Sequence, residues 1–490
     1  LTLALGLILG WLALTTLVGI LAGLDRRFGL EEFCVGERSF GTLLFYTLAA
    51  AEIYSAFAFL GLAGWAYDKG LSIVYALAYM PIAYALYFFI GPRIQRLGRR
   101  GGYMTQPDFL EDRYGSRPLG TVVALLGVAA SIPYLQVQLV GSGIIVEVAS
   151  GGAMPRQTAI VVAASCLVVF VAFSGLRGIG WTNLMQAGIM LVGMLGVGLL
   201  VPRELFGGIG PAMETLERLR PRHLGLPDSG GLGLGWYVST VLLSALGAWM
   251  WPHIFATTYG ARSPRVVRRN ACVLPLYQLA TVPVILVGLT CAAKAAEDPA
   301  FAAAIAHPDQ AMLSVLATSF PPWVAGVIGA GGLAAAVSTA SALVLSSANL
   351  LARNVTQKGL APGLDDRRTT WLARGMVLPV AAGAAMLALH APARLVDLLL
   401  IGYSGIAQLV PAIWLGLFSR RPTLAGVSAG LACGIGFSVA AQLGGWTMPA
   451  GAHPGFVGLL LNLAVVLAVG TLARRPEAER LARFERMLAE

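Results

Sequence analysis

The feature that most limits what this chain can fold into is a repetition: thirteen times, a run of roughly 20 residues passes with almost no charge. These runs lie near 2–24, 42–67, 71–92, 119–149, 157–174, 181–202, 234–256, 272–294, 321–350, 369–390, 393–419, 422–446 and 455–473. About 20 apolar residues carry a helix across the hydrocarbon core of a bilayer. In that medium a spanning segment must satisfy its backbone internally. The chain therefore reads as an all-α polytopic membrane protein with about 13 transmembrane helices. Spans 4 and 9 are longer than one crossing needs, which implies tilt or helical extension. Composition enters here as a check. Charged residues make up 12% of the chain, about half of what a soluble surface carries. A soluble enzyme, a nucleic-acid-binding domain and a disordered chain are excluded.

The charge pattern sets an expected orientation. The odd-numbered loops and the C-terminal tail, with Arg374 at the adjoining end of span 10, hold 26 of the 34 Lys and Arg residues. Among the even loops, 203–233 holds four basic residues, balanced by Glu204, Glu214, Glu217 and Asp228. By the positive-inside rule the basic loops face the cytoplasm, so the N-terminus lies outside and the C-terminus inside. The net charge of +10 then reflects topology and anionic lipid, with no nucleic acid implied. A bacterial inner membrane or a plasma membrane is the expected location. Five cysteines show no C-x-x-C pair, and four sit in apolar runs, where Cys behaves as a small hydrophobe. The chain starts at Leu1 without a basic n-region or A-x-A site, so its first run is expected to span rather than be cleaved. Residues 1–473 form one transmembrane domain, and 474–490 (RRPEAERLARFERMLAE) form a short amphipathic tail.

Two spans depart from regularity. Span 2 buries Glu52 beside Ala49, Ala50, Ala51, Ser55 and Ala56, and span 7 carries Gly247 and then Pro252-His253 near its end. They are five segments apart. An ionisable or broken element in the first helix of each five-helix block is the pattern of inverted-repeat transporters, where unwound backbone at mid-depth binds ion and solute. Gly and Pro are also simply common in membrane helices. Span 9 adds Ser338, Thr339, Ser341, Ser346 and Ser347. Such hydroxyls either bond to the preceding turn or supply oxygens to a hard cation.

The chain resembles the solute:sodium symporter family over essentially its whole length. The stretches that carry the likeness are EEFCVGERSFG, SAFAFLGLAGWAYDKG, YMTQPDFLEDRYGS, SGLRGIGWTNLMQ, WPHIFATTYGARS, AAAVSTASA and AQLVPAIWLGLF, in the family's order. The resemblance implies a leucine-transporter-type fold with 5+5 inverted repeats, approximately 42–202 and 234–419. It also implies a Na⁺ site in which the carbonyls of Ala51, Tyr54 and Ala335 join the hydroxyls of Ser338 and Thr339. Ser55 and Phe57, which follow the span-2 carbonyls, belong to the solute side. Many members carry Asp in the W-T-D-x-x-Q element, where this chain has Asn183. One Na⁺ per cycle is expected from that loss of charge.

Other polar residues keep two or more readings. Glu52 pairs structurally, strengthens the cation site or exchanges a proton, or touches solute; an anionic solute disfavours the last. His253 is a packing group or a solute or gate contact. Trp249 and Trp251 are interfacial anchors or pocket walls, with the pocket favoured for Trp249. Tyr134, Gln136, Gln138 and Gln408 line the cavity or join helices by hydrogen bonds.

The expected activity is Na⁺-coupled symport of a small organic solute, with no enzymatic step. A monocarboxylate such as lactate, pyruvate or acetate is favoured, and proline or pantothenate is the alternative. Each net positive charge moved inward gains about 2.3 kcal/mol per 100 mV. A channel would show a continuous polar stripe, and a ligand sensor would need a signalling domain. No obligatory protein partner is evident.

Overall fold

Runs this apolar have only the helix with which to satisfy their backbone in lipid, and that is what they become. A computed structural model describes residues 2–24, 29–226, 231–390, 394–473 and 477–489. Asp228 and four arginines of the charge count (Arg26, Arg27, Arg474, Arg475) lie outside the described residues. Among the described residues ten helices are long and apolar enough to span, or eleven when the bent pair Leu234–Gly247 and Pro252–Gly260 counts as one. Two are too long for a single crossing. Arg156–Phe206 has 51 residues, about 75 Å at 1.5 Å per residue against a core of about 30 Å. It breaks at Gly175 (φ 56°, ψ −177°), and the 45-residue run Phe57–Gly101 breaks at Gly70 (φ 67°, ψ −146°). Those backbone angles are essentially open to glycine alone. Divided there, the two runs supply two further crossings, and thirteen result.

Span 9 is the axis of the bundle. Protein buries 94% of the apolar window in Pro322–Leu360, against 28% in Pro454–Leu472. Its Gly, Ala and Ser residues let neighbouring backbones approach closely. Shielded from lipid, its hydroxyls can serve an internal site. The extension expected of span 9 is present, because the helix continues past Asn349 through a π-helical segment to Leu360.

Loop contacts sort the connections by parity. Odd loops 1 and 7 meet where Phe40 N–H donates to the Gly260 carbonyl and Arg262 N–H to the Phe40 carbonyl. Even loop 2 meets the head of span 11, on the loop-10 side, where Arg394 pairs with Asp68 at 2.6 Å, and Gln310 of loop 8 reaches Glu147 at the end of span 4. The basic loops thus share one face. On that face Asp108, in helix Gln106–Tyr114, is buried between Arg353 at 3.0 Å and Lys358 at 2.8 Å, both at the end of span 9. Burial alone would raise its pKa, but the two cations and the Met104 N–H outweigh it and hold the carboxyl well below the usual range.

Asp108→Ala would leave the partly buried Arg353 without a carboxylate and Lys358 with Glu111 alone, a loss of the order of 3 kcal/mol, the low end for a broken buried pair. A lower unfolding temperature in detergent is expected. Because the native pKa is depressed, the contribution is fully present above the ordinary carboxylate pKa. The gap between variant and parent should therefore hold from neutral pH down to about pH 4 and close only in stronger acid.

Candidate functional site

A helix broken inside a bilayer frees carbonyl and N–H groups that something must satisfy. In span 2 the helix Thr42–Ile53 ends, Tyr54 is extended (φ −82°, ψ 110°), and helical structure resumes at Phe57. The freed groups are met from two sides. Gln138 Oε1 accepts the Ala56 N–H at 2.9 Å. From span 9, Ser338 Oγ donates to the Ala51 carbonyl at 2.8 Å and lies 3.0 Å from the Ala335 carbonyl. Thr339 Oγ1 lies 3.4 Å from the Ala51 carbonyl and 3.2 Å from that of Tyr54. The structure thus brings together all five oxygens named from the sequence. It adds one that was not named, the Glu52 carbonyl, 3.2 Å from Thr339 Oγ1. Six neutral, hard oxygens in one buried knot suit a hard cation of low charge.

Span 7 is broken too. Its halves Leu234–Gly247 and Pro252–Gly260 bend by 42°, and Trp251 is extended ahead of Pro252, as a residue before proline prefers. Between the two breaks lies a cavity of about 40 Å³, room for a few waters. Glu52, Phe57, Tyr134, Trp249 and His253 line it, as do Tyr79, Trp251, Ile254 and Tyr403. His253 is buried, and its Nδ1 has no hydrogen-bond partner among the described residues. Trp249 is a wall of the cavity, with its Nε1–H donating to the Ala83 carbonyl and its ring stacked 3.9 Å from Tyr87. The Glu52 carboxylate receives the Thr257 hydroxyl, at 2.8 Å to Oε1 and 2.9 Å to Oε2. One residue therefore puts its carbonyl into the oxygen knot and its side chain into the cavity wall.

Three residues placed on the solute side, Gln408, Gln138 and Ser55, do not line the cavity, and Gln136 takes the second of its two readings. Gln408 does not line this cavity: its amide bonds to the Ser404 and Gly455 carbonyls, and Asn462 donates to it, which fastens span 11 to the spans behind it. Gln138 lies behind the wall, where it caps the span-2 break. Gln136 points away and donates to the Leu387 carbonyl. Ser55 is buried in the break but is not among the cavity-lining residues. Asn183 is buried, and its amide has no hydrogen-bond partner among the described residues. The sequence reading missed Thr257, Tyr79 and Tyr403. The one available signal was the spacing of Thr257 four residues after His253, a single helical turn.

A profile of the sodium:solute symporter family matches residues 33–434. The uncharacterized symporter YhjB of Bacillus subtilis is 36% identical over 97% of this chain and 98% of its own length. A monocarboxylate transport permease protein of Rhizobium johnstonii is 27% identical over 96% of each chain. Symporters named for pantothenate and for proline match at lower identity. Among solved structures, a Na⁺-coupled sialic acid symporter superposes with a TM-score of 0.80 at 16% identity, covering 97% of this chain and 98% of its own. That likeness shows a leucine-transporter-type fold.

The Glu52–Thr257 contact is checkable by itself. Thr257→Val keeps the shape and removes the one donor to the buried Glu52 carboxylate among the described residues, which costs about 1–3 kcal/mol. Thr257→Ser should keep most of the stability. Thermal unfolding in detergent should rank the parent and Ser variant together, above Val.

Proposed function

The chain belongs to the sodium:solute symporter family, and within it we propose an importer of small monocarboxylates such as lactate, pyruvate or acetate. Sodium is the coupling ion of this family, and no bond in the solute is made or broken. The proposed Na⁺ ligands are the carbonyls of Ala51, Tyr54 and Ala335 with the hydroxyls of Ser338 and Thr339. Their convergence within 3.4 Å is the observation that carries this reading. A hydroxyl has lone pairs as well as a proton. Rotating two C–O bonds converts the hydrogen-bonded knot into a cation cage without moving a helix. With Na⁺ bound, span 9 is tied to the broken span 2. The ion thereby favours the arrangement in which the cavity is formed, and its loss releases that bias. The neutral Asn183 fits one Na⁺ per cycle. The broken spans 2 and 7 fit inverted repeats at about 42–202 and 234–419, and we place the basic loops and the tail 474–490 in the cytoplasm.

For the solute, the helix Pro252–Gly260 supports a carboxylate. It begins at the cavity without a side-chain cap, so the His253 and Ile254 N–H groups are free for an anion at the positive end of the helix dipole. Both residues line the cavity, and no Lys or Arg among the described residues does. The likeness to the monocarboxylate permease points the same way. One specific observation favours a second reading. The Glu52 carboxylate in the wall would suit the ammonium group of a zwitterion such as proline.

The two readings differ in charge. One Na⁺ with a monocarboxylate moves no net charge, so the membrane potential adds nothing and the Na⁺ concentration ratio drives uptake. One Na⁺ with a zwitterion moves one charge and gains about 2.3 kcal/mol per 100 mV. In proteoliposomes an inward Na⁺ gradient is expected to accumulate labelled lactate, pyruvate or acetate, with no acceleration by an inside-negative potassium diffusion potential. Potential-driven proline uptake would establish the second reading instead. Ser338→Ala with Thr339→Ala should raise the half-saturating Na⁺ concentration tenfold or more, equivalent to about 1.4 kcal/mol. Unchanged Na⁺ dependence in that double variant would overturn the proposed ion site.

A further inference from the structure

Far from the oxygen knot, on the face opposite the basic loops, a buried carboxylate joins three elements. Asp309 lies in the connection between spans 8 and 9 and is 4% exposed. Its Oδ2 accepts the Leu395 N–H at 3.3 Å, which caps the first residue of helix Leu395–Ile406 in span 11. Its Oδ1 and backbone press on Gly64 of helix Leu62–Lys69, the outer half of span 2, so closely that no side chain would fit there. Just inward, Gly61 packs on Leu395 and Val396. These two elements also wall the cavity, through Leu62 on one side and Leu399 and Tyr403 on the other. The outer half of span 2 and the head of span 11 thus meet beside the cavity on this face, and Asp309 sits across the seam between them.

We propose that Asp309 is the catch of a proton-sensitive gate on this face: its carboxyl holds the 8–9 connection against span 2 and the head of span 11, and a bound proton keeps the gate shut. The inference rests on the alternating-access reading above. Its charge surroundings can be named element by element. The loop contributes His307, whose Nδ1 accepts the Asp309 N–H. Burial and nearby Arg156 and Arg394 lower the His307 pKa. Span 2 ends in Asp68 and Lys69, and span 11 begins with Arg394 and Asp397. Arg394 is engaged by Asp68 at 2.6 Å, and Arg156 by Glu147 at 3.0 Å. The arginines near Asp309 are thus committed to other carboxylates, and the ionisable group within ion-pair reach of it among the described residues is His307, 3.7 Å from Oδ2 and kept neutral by its lowered pKa.

The direction of the switch follows from linkage. Burial pushes the Asp309 carboxyl up to about 7, against the pull of the Leu395 N–H, Arg394 and Arg156. Parting the seam would return it to solvent and to the ordinary value near 4. A group whose pKa is higher in the closed form stabilises that form when protonated. Closing should therefore be favoured about tenfold more at pH 6 than at pH 8.

The test needs neither Na⁺ nor solute, so it fails or succeeds independently of uptake. In full-length protein in detergent, with its five cysteines replaced by Ala, Val396→Cys reports the seam and Glu217→Cys serves as an exposed reference. The ratio of their maleimide labelling rates cancels the pH dependence of the thiol. That ratio is expected to fall about tenfold from pH 8 to pH 6. It should become independent of pH in Asp309→Asn, at the low value of the protonated form. Asp68→Asn, which breaks the Arg394 pair and leaves Asp309 in place, should raise the ratio at both pH values and keep the tenfold dependence. A flat profile in the parent overturns the proposal, as does an undiminished profile in Asp309→Asn or its loss in Asp68→Asn.

Discussion

The structure depends on how the broken backbone of span 2 is satisfied. Each polar group left bare in a bilayer costs several kcal/mol, so an interruption at Tyr54 survives only if other groups reach it. Ser338 and Thr339 meet the carbonyls, and Gln138 meets the Ala56 N–H. These partners come from the most enclosed span and its neighbour, where lipid does not compete. The same contacts that make the break tolerable gather the oxygens a cation would use. Stability and the proposed ion site are therefore one arrangement seen from two sides.

Glu52 extends that arrangement toward the solute cavity. Its carbonyl belongs to the oxygen knot and its carboxylate to the cavity wall, clasped by Thr257 of the second broken span. The interrupted helices of the two halves are thus joined through one side chain, at the point where ion and solute would meet. A conformational change that moves span 7 cannot leave the span-2 break undisturbed. In the proposed reading, that link is what couples ion to solute.

Legibility in the sequence varied with the range of the interaction. Pro252 announced the break in span 7 locally, through its restriction of Trp251. Gly70 and Gly175 lie at the joints that divide the over-long helices. The knot oxygens were found through the family likeness, because Ser338 and Ala51 stand 287 residues apart and nothing local connects them. For Gln408, Gln136 and Gln138 the sequence left cavity wall and helix–helix bond both open, for a shared reason. A buried amide in an apolar helix needs a partner whatever it faces, so polarity alone does not distinguish a cavity wall from a helix–helix bond. Thr257 was overlooked because a single hydroxyl in a helix usually bonds its own preceding turn.

By itself the sequence determined that the chain crosses a membrane many times, which loops share a face, and which residue types could hold a hard cation. Hydrophobic length and charge placement are properties of consecutive residues, and a bilayer reads them directly. Only the tertiary structure decided where span 2 opens, which carboxylate meets which hydroxyl, and that Asp309 lies buried across the seam between spans 2 and 11. No residue near Tyr54 forbids a helix there. The opening exists because groups from distant spans offer its backbone better partners than the helix would, and that choice is made by packing.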